Sequence, residues 1–176
     1  AEAVLNRTES NEAARDLIGR IAAMRAILAV TRYDRELMYT QSLKALEYLH
    51  KNNFSSRITS TWTLGQAYQQ MGRIEEAKKT YRDAISLGMS SGNYLFAILS
   101  ESGIGDIEEA DNKLHSAAEI YGHVIEQVSK QPLPLMCDVY LNLARIHYEW
   151  NNLEKARQLA ETSLKLAKKF ENVIDR

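Results

Sequence analysis

The stretch "LGQAYQQMGRIEEAKKTYRDAI", residues 64–85, decides the architecture. Ala77, Tyr81 and Ala84 are four and three residues apart, the spacing of one helical face. Thr61, Leu64 and Tyr68 keep the same spacing on the other side of Met71-Gly72-Arg73. Two amphipathic helices therefore flank a break, and Gly72 can adopt the left-handed conformation that ends a helix. An ordinary side chain in that conformation costs about 1 kcal/mol.

The pattern recurs along the chain. Gly65 is followed after twelve residues by Ala77, then by Tyr81 and Ala84. Gly105 leads in the same way to Ala117, Tyr121 and Val124, with a break at Asn112-Lys113. Ala144 leads to Ala156, Ala160 and Ser163, with a break at Asn151-Asn152. Ala26 leads to Met38, Ser42 and Ala45, and its break, Tyr33-Asp34, lacks a Gly or Asn. The four anchors are separated by 39, 40 and 39 residues. The expectation is an all-α chain: a right-handed superhelix of about four helical hairpins (about eight helices), each burying its apolar side against its neighbours. The repeats fall at about 12–50, 56–91, 94–130 and 135–170. Ser90-Ser91-Gly92-Asn93 and the Pro132-Leu133-Pro134 stretch read as links.

Residues Leu64-Gly65, Tyr68, Gly72, Ala77, Tyr81 and Ala84 resemble the tetratricopeptide repeat signature, a two-helix unit of about 34 residues. Thr61 stands where that family has Trp, and Met89 where it has a closing Pro. The longer period resembles a narrower group, the repeat region of MalT-type transcriptional regulators. "LARIHYEWNNLEKARQLAETSLKLAKKF", residues 143–170, is similar to that group's repeat, with Tyr148-Glu149-Trp150-Asn151-Asn152 carrying most of the likeness. The resemblance implies a segment of a larger bacterial regulator that also has a nucleotide-binding switch domain and a LuxR-type DNA-binding end.

The edges agree with excision from a longer array. The chain starts at Ala rather than Met. "AEAVLNRTES" reads as the end of a previous helix before a polar break at Thr8-Glu9-Ser10-Asn11, and "ENVIDR" reads as the start of another helix.

Composition narrows the function. The 176 residues carry 22 Lys plus Arg against 23 Asp plus Glu, a formal charge of −1. That balance lacks the electrostatic footprint of a nucleic-acid or anionic-membrane binder. One cysteine, Cys137, precludes an internal disulfide and suits a reducing, cytoplasmic setting. Cys137 is expected to serve packing. No apolar run is long enough to span a bilayer, and no signal peptide is visible. The glycosylation patterns Asn6-Arg7-Thr8 and Asn53-Phe54-Ser55 are read as chance.

No phosphate loop, H-E-x-x-H motif or paired-cysteine zinc pattern is present. His50, His115, His123 and His147 do not share a helical face at ligand spacing. The cluster Glu101, Asp106, Glu108, Glu109, Asp111 is expected to be a solvated helix face. The reading is therefore non-catalytic, with no metal and no cofactor in this segment.

What remains is a surface. On the tetratricopeptide pattern the concave groove receives Trp62, Gln66, Gln69 and Gln70, then Ser102, Asp106 and Glu109, then Leu141, Arg145, Tyr148 and Glu149. Aromatic faces with planar amides suit a polyhydroxylated or peptide-like ligand. For Trp62 and Tyr148 the competing expectation is packing between helices, and Trp150 is assigned to packing. Two functions follow. One is a ligand- or protein-binding sensor segment of a MalT-like regulator, whose partners are a small-molecule inducer or protein and the other domains of its parent. The other is a generic tetratricopeptide scaffold for a protein or peptide.

Overall fold

The computed structural model describes residues 2–129 and 133–174, and the side-chain surroundings of 11–129 and 133–169. Among these the regular structure is entirely helical. The eight α-helices are α1 (Glu2–Val30), α2 (Arg35–Tyr48), α3 (Phe54–Gln70), α4 (Ile74–Ser91), α5 (Tyr94–Ala110), α6 (Leu114–Gln127), α7 (Cys137–Glu149) and α8 (Leu153–Ile174). A single 3-10 turn, Pro134–Met136, precedes α7. Consecutive helices pair as hairpins, four in all.

One device closes all four hairpins. Tyr33, Gly72, Asn112 and Asn151 have φ of 53°, 73°, 58° and 57°, the left-handed region. The N–H of Gly72 donates to the Gln69 carbonyl at 3.0 Å, and that of Arg73 to the Tyr68 carbonyl at 2.9 Å. Asn112 and Lys113 bond Glu109 and Glu108 in the same way, and Asn151 and Asn152 bond Tyr148 and His147. Tyr33 and Asp34 repeat the pattern on Val30 and Ala29. These are the bonds of a Schellman motif, which satisfies carbonyls left open by the last helical turn. The repeat period is therefore carried by backbone geometry. Tyr33 takes the left-handed place even though it is neither Gly nor Asn.

The chain divides into two compact units, Ala1–Gly103 and Ile104–Arg176. In the first, Ala29 and Met38 pack with Ala67, joining the first hairpin to α3. Ala22, Ala23, Ala45 and Leu49 form a second cluster between α1 and α2. The repeat's anchor positions explain themselves here. A Cβ on Gly65 would lie 2.6 Å from the Tyr81 ring, and one on Gly103 would lie 2.7 Å from it. The glycines thus make room for a fully buried ring pressed on helix backbone, which is more specific than close helix approach.

In the second unit the same relation holds between Gly105 and Tyr121, where a Cβ would come within 2.6 Å of the ring. Val124, Met136 and Ile146 are buried with it. Ser163 Oγ donates to the Cys137 carbonyl at 2.8 Å, tying α8 to the start of α7.

Several sequence expectations change. No break occurs at Thr8-Glu9-Ser10-Asn11, because α1 runs through it. None of these residues is Gly or Pro, and each lowers helix propensity by only about 0.7 kcal/mol or less. Glu171–Ile174 prolongs α8 rather than opening a new helix. Ser90 and Ser91 are helical, so the second link is only Gly92 and Asn93, with Gly92 left-handed at φ 72°. Their hydroxyls bond the Leu87 carbonyl of the preceding turn, which lets serine remain in the helix. Leu133 is extended and Pro134 opens the 3-10 turn, whereas Pro132 lies outside the described residues.

Candidate functional site

The most developed polar cluster joins α5, α6 and α7 inside the second unit. Asp106 and Glu109 stand one turn apart on α5. Tyr121 of α6 places its hydroxyl 2.7 Å from Asp106 Oδ1 and 2.9 Å from Glu109 Oε2. Asn142 of α7 donates from Nδ2 to Asp106 Oδ1 at 3.0 Å and to the Tyr121 hydroxyl at 3.3 Å. Arg145, one turn further along α7, pairs with Glu109.

The electrostatics follow from burial. Desolvation pushes the Asp106 carboxyl above the ordinary aspartate value, and the charges of Glu109 and Asp138 add to the push. The Tyr121 hydroxyl and the Asn142 amide pull the other way without cancelling it. Burial, followed by the neighbouring carboxylates, drives the Tyr121 phenol far above its usual range, so it remains a donor. One phenolic hydrogen faces two carboxylates, an arrangement that favours a proton on Asp106. Arg145 stays 61% exposed while its partner Glu109 is 14% exposed, so a guanidinium is held at the surface by a sheltered carboxylate. Its attraction to Glu109 is screened on the open side and contributes at most about 1 kcal/mol to stability.

The first unit repeats one bond of this cluster. Tyr81 donates to Gln69 Oε1 at 2.7 Å, with the same twelve-residue interval as Tyr121 and Glu109. Gln66 and Ser102 are half-buried. Trp62 is only 8% exposed, lies 5.4 Å ring-to-ring from Phe96, and has a buried Nε1 with no partner. Its ring is placed as packing. In the second unit Tyr148 is 65% exposed, and Leu141 and Glu149 are exposed beside Arg145 on α7.

Sequence reasoning named Asp106, Glu109 and Arg145 but missed Tyr121 and Asn142 as their partners. It also assigned Asp106 to a solvated face, which the hydrogen bonds above correct. The signal was available: a polar residue twelve positions before each repeat tyrosine, Gln69 and Glu109. Among the described residues no group of three or more His, Cys, Asp or Glu could hold a metal ion. No described helix is long and apolar enough to cross a membrane.

Comparison with known proteins agrees with the repeat geometry. No curated protein matches the sequence. The crystal structure of BtubC (BKLC) from P. vanneervenii superimposes with a TM-score of 0.60 at 18% identity. The match covers 84% of this chain and 60% of that one, so the chain spans less than two thirds of that neighbour. At this identity the likeness concerns the fold alone. The family described as the MalT-like TPR region matches residues 19–175. With four hairpins closed by one turn device at a near-forty-residue period, and that match running over most of its length, the chain belongs to the MalT-like TPR region family.

Proposed function

We propose that the chain is a non-catalytic, cytoplasmic binding segment of a MalT-like, LuxR-family transcriptional regulator. A small-molecule inducer engages the polar side chains of α5 and α7, and the parent's nucleotide-binding and DNA-binding domains respond. The observation that carries this reading is the cluster of Asp106, Glu109, Tyr121, Asn142 and Arg145. Burying carboxylates lowers stability unless every partner is in place. An anchored guanidinium beside an amide and a phenol suits hydroxyl- or carboxylate-bearing ligands. Binding that favours one arrangement of the parent chain shifts its population by that difference in affinity.

A second reading, a scaffold for a protein partner, draws on α7. Tyr148 and Leu141 are exposed there beside Arg145, and tyrosine and arginine are enriched at interface centres.

A thermal-shift screen against small metabolites tests the first reading. An inducer at a hundred times its Kd should stabilise the chain by about 2.7 kcal/mol. Arg145→Ala should remove that shift with helicity intact. Undiminished shifts in Arg145→Ala and Tyr148→Ala would move the site elsewhere. Retained inducer binding with lost capture of a protein partner would favour the scaffold.

A further inference from the structure

A second site stands apart from the α5–α7 polar cluster, and the repeat itself serves as its control. Counting from the left-handed turn residue puts Tyr39, Lys78 and Ala118 in one register. Tyr68, Glu108 and His147 share another. In the first unit the Tyr39 ring meets Tyr68 edge-on at 5.6 Å. The Arg73 guanidinium caps both, 4.4 Å from Tyr68 and 5.9 Å from Tyr39. The seat beside Tyr68 is thus filled by a ring from the preceding hairpin.

In the second unit the seat is open. Ala118 stands in the place of Tyr39, and a cleft of about 470 Å³ borders Ala118, Gly122, Leu143, His147, Trp150 and Leu159. That volume falls within the range of small-molecule sites, roughly 300–1,000 Å³. Four lining positions differ from their counterparts, and at one of them, 115, the other three hairpins agree. His115 replaces the Glu found at 36, 75 and 154. Gly122 replaces Leu43, Arg82 and Glu161. His147 and Trp150 replace Tyr68 with Met71, and Glu108 with Asp111.

Gly122 is mid-helix and is not among the positive-φ residues. A Cβ there would meet nothing within 4 Å. Neither a turn nor a close approach calls for glycine, although it weakens a helix by about 1 kcal/mol relative to alanine. The effect of its bare backbone is to keep the cleft open. The walls are aromatic: His115 stacks on Trp150 at 4.7 Å and His147 meets Trp150 edge-on at 5.6 Å. His147 Nδ1 is buried without a partner. Glu119 and Lys155 supply one charge of each sign at the edge.

We propose that this cleft binds a small aromatic molecule carrying both an ammonium and a carboxylate group, the simplest being an aromatic amino acid. Its ring occupies the seat that the Tyr39 ring fills in the first unit. It packs against Trp150 and His147 in the offset or edge-on arrangements that aromatic pairs prefer. Its carboxylate faces Lys155 and its ammonium faces Glu119.

The experiment titrates the chain with L-phenylalanine and L-tyrosine, following Trp emission for the first and the thermal midpoint for both. L-leucine serves as the comparison without a ring. A saturable emission change and a raised midpoint are expected for the aromatic pair, with L-leucine about tenfold weaker or more. Ala118→Tyr plants the first unit's own ring in the seat and should abolish the response. Gly122→Arg, the residue that position 82 carries, fills the same space from the helix surface and decides the matter if Ala118→Tyr does not fold by circular dichroism. No saturable response in the unaltered chain overturns the proposal. So does an equal response to L-leucine, or a response that survives in the folded variants.

Discussion

Single residues set the period. Each hairpin turns on one left-handed position, filled by Gly72, by Asn112 and Asn151, and by Tyr33. Left-handed backbone costs an ordinary residue about 1–2 kcal/mol, and asparagine less. Tyr33 is 81% exposed, so its ring contributes little packing to offset that strain. Tyr33→Asn should therefore stabilise the chain by about 0.5–1 kcal/mol, and Gly72→Ala should destabilise it by about 1 kcal/mol. In a protein of this length such changes move the thermal midpoint by about 2–4 °C per kcal/mol. Equal midpoints for both variants and the parent sequence would contradict the turn assignment.

Helices bring distant residues into one site, and here sequence reading reached its limit. The turn residues and the Gly-to-Tyr intervals were legible because backbone sterics leave few alternatives at those positions. Trp62 was ambiguous because its position on α3 borders both the packing stripe and the polar face, and only the Phe96 ring opposite shows that it is packed. Asp106 looked solvated among four acidic neighbours, because nothing local reveals that Tyr121 and Asn142 converge on it from other helices. That convergence predicts a pH effect. The folded Asp106 value is raised, so the native state binds this proton more tightly than the unfolded chain. Its contribution is fully present below the unfolded aspartate value and is lost as pH rises through the folded one. Asp106→Asn should remove that loss and raise the urea midpoint at neutral pH, with little gain in acid. His147, held neutral chiefly by burial, acts in the opposite sense: stability falls as pH drops through the ordinary histidine range. An Asp106→Asn midpoint that tracks the unaltered chain at every pH would show that the carboxyl is not strained by burial.

At the scale of the molecule, stability in a repeat array approximates a sum of hairpin terms and nearest-neighbour interfaces. Trp62 and Trp150 lie in different units. Trp62→Ala empties a packed site in the first unit and should cost about 3–5 kcal/mol. It also leaves Trp150 as the only tryptophan, an emission probe confined to the second unit. In urea, the circular dichroism of this variant should begin to fall before the Trp150 emission changes. Coincident transitions would indicate all-or-none unfolding instead.

The uneven second helices also bear on how the gene can be edited. α2 and α6 have 14 residues and α4 has 18, yet the turn-to-turn interval stays at 39 or 40 because the link after α4 shrinks to Gly92 and Asn93. Codons can pass between helix and connector only if their total is conserved. A lone deletion between 90 and 93 would swivel α5 by about 100° about its axis. Gly103 would leave the Tyr81 ring and Ala97 would leave Gly88.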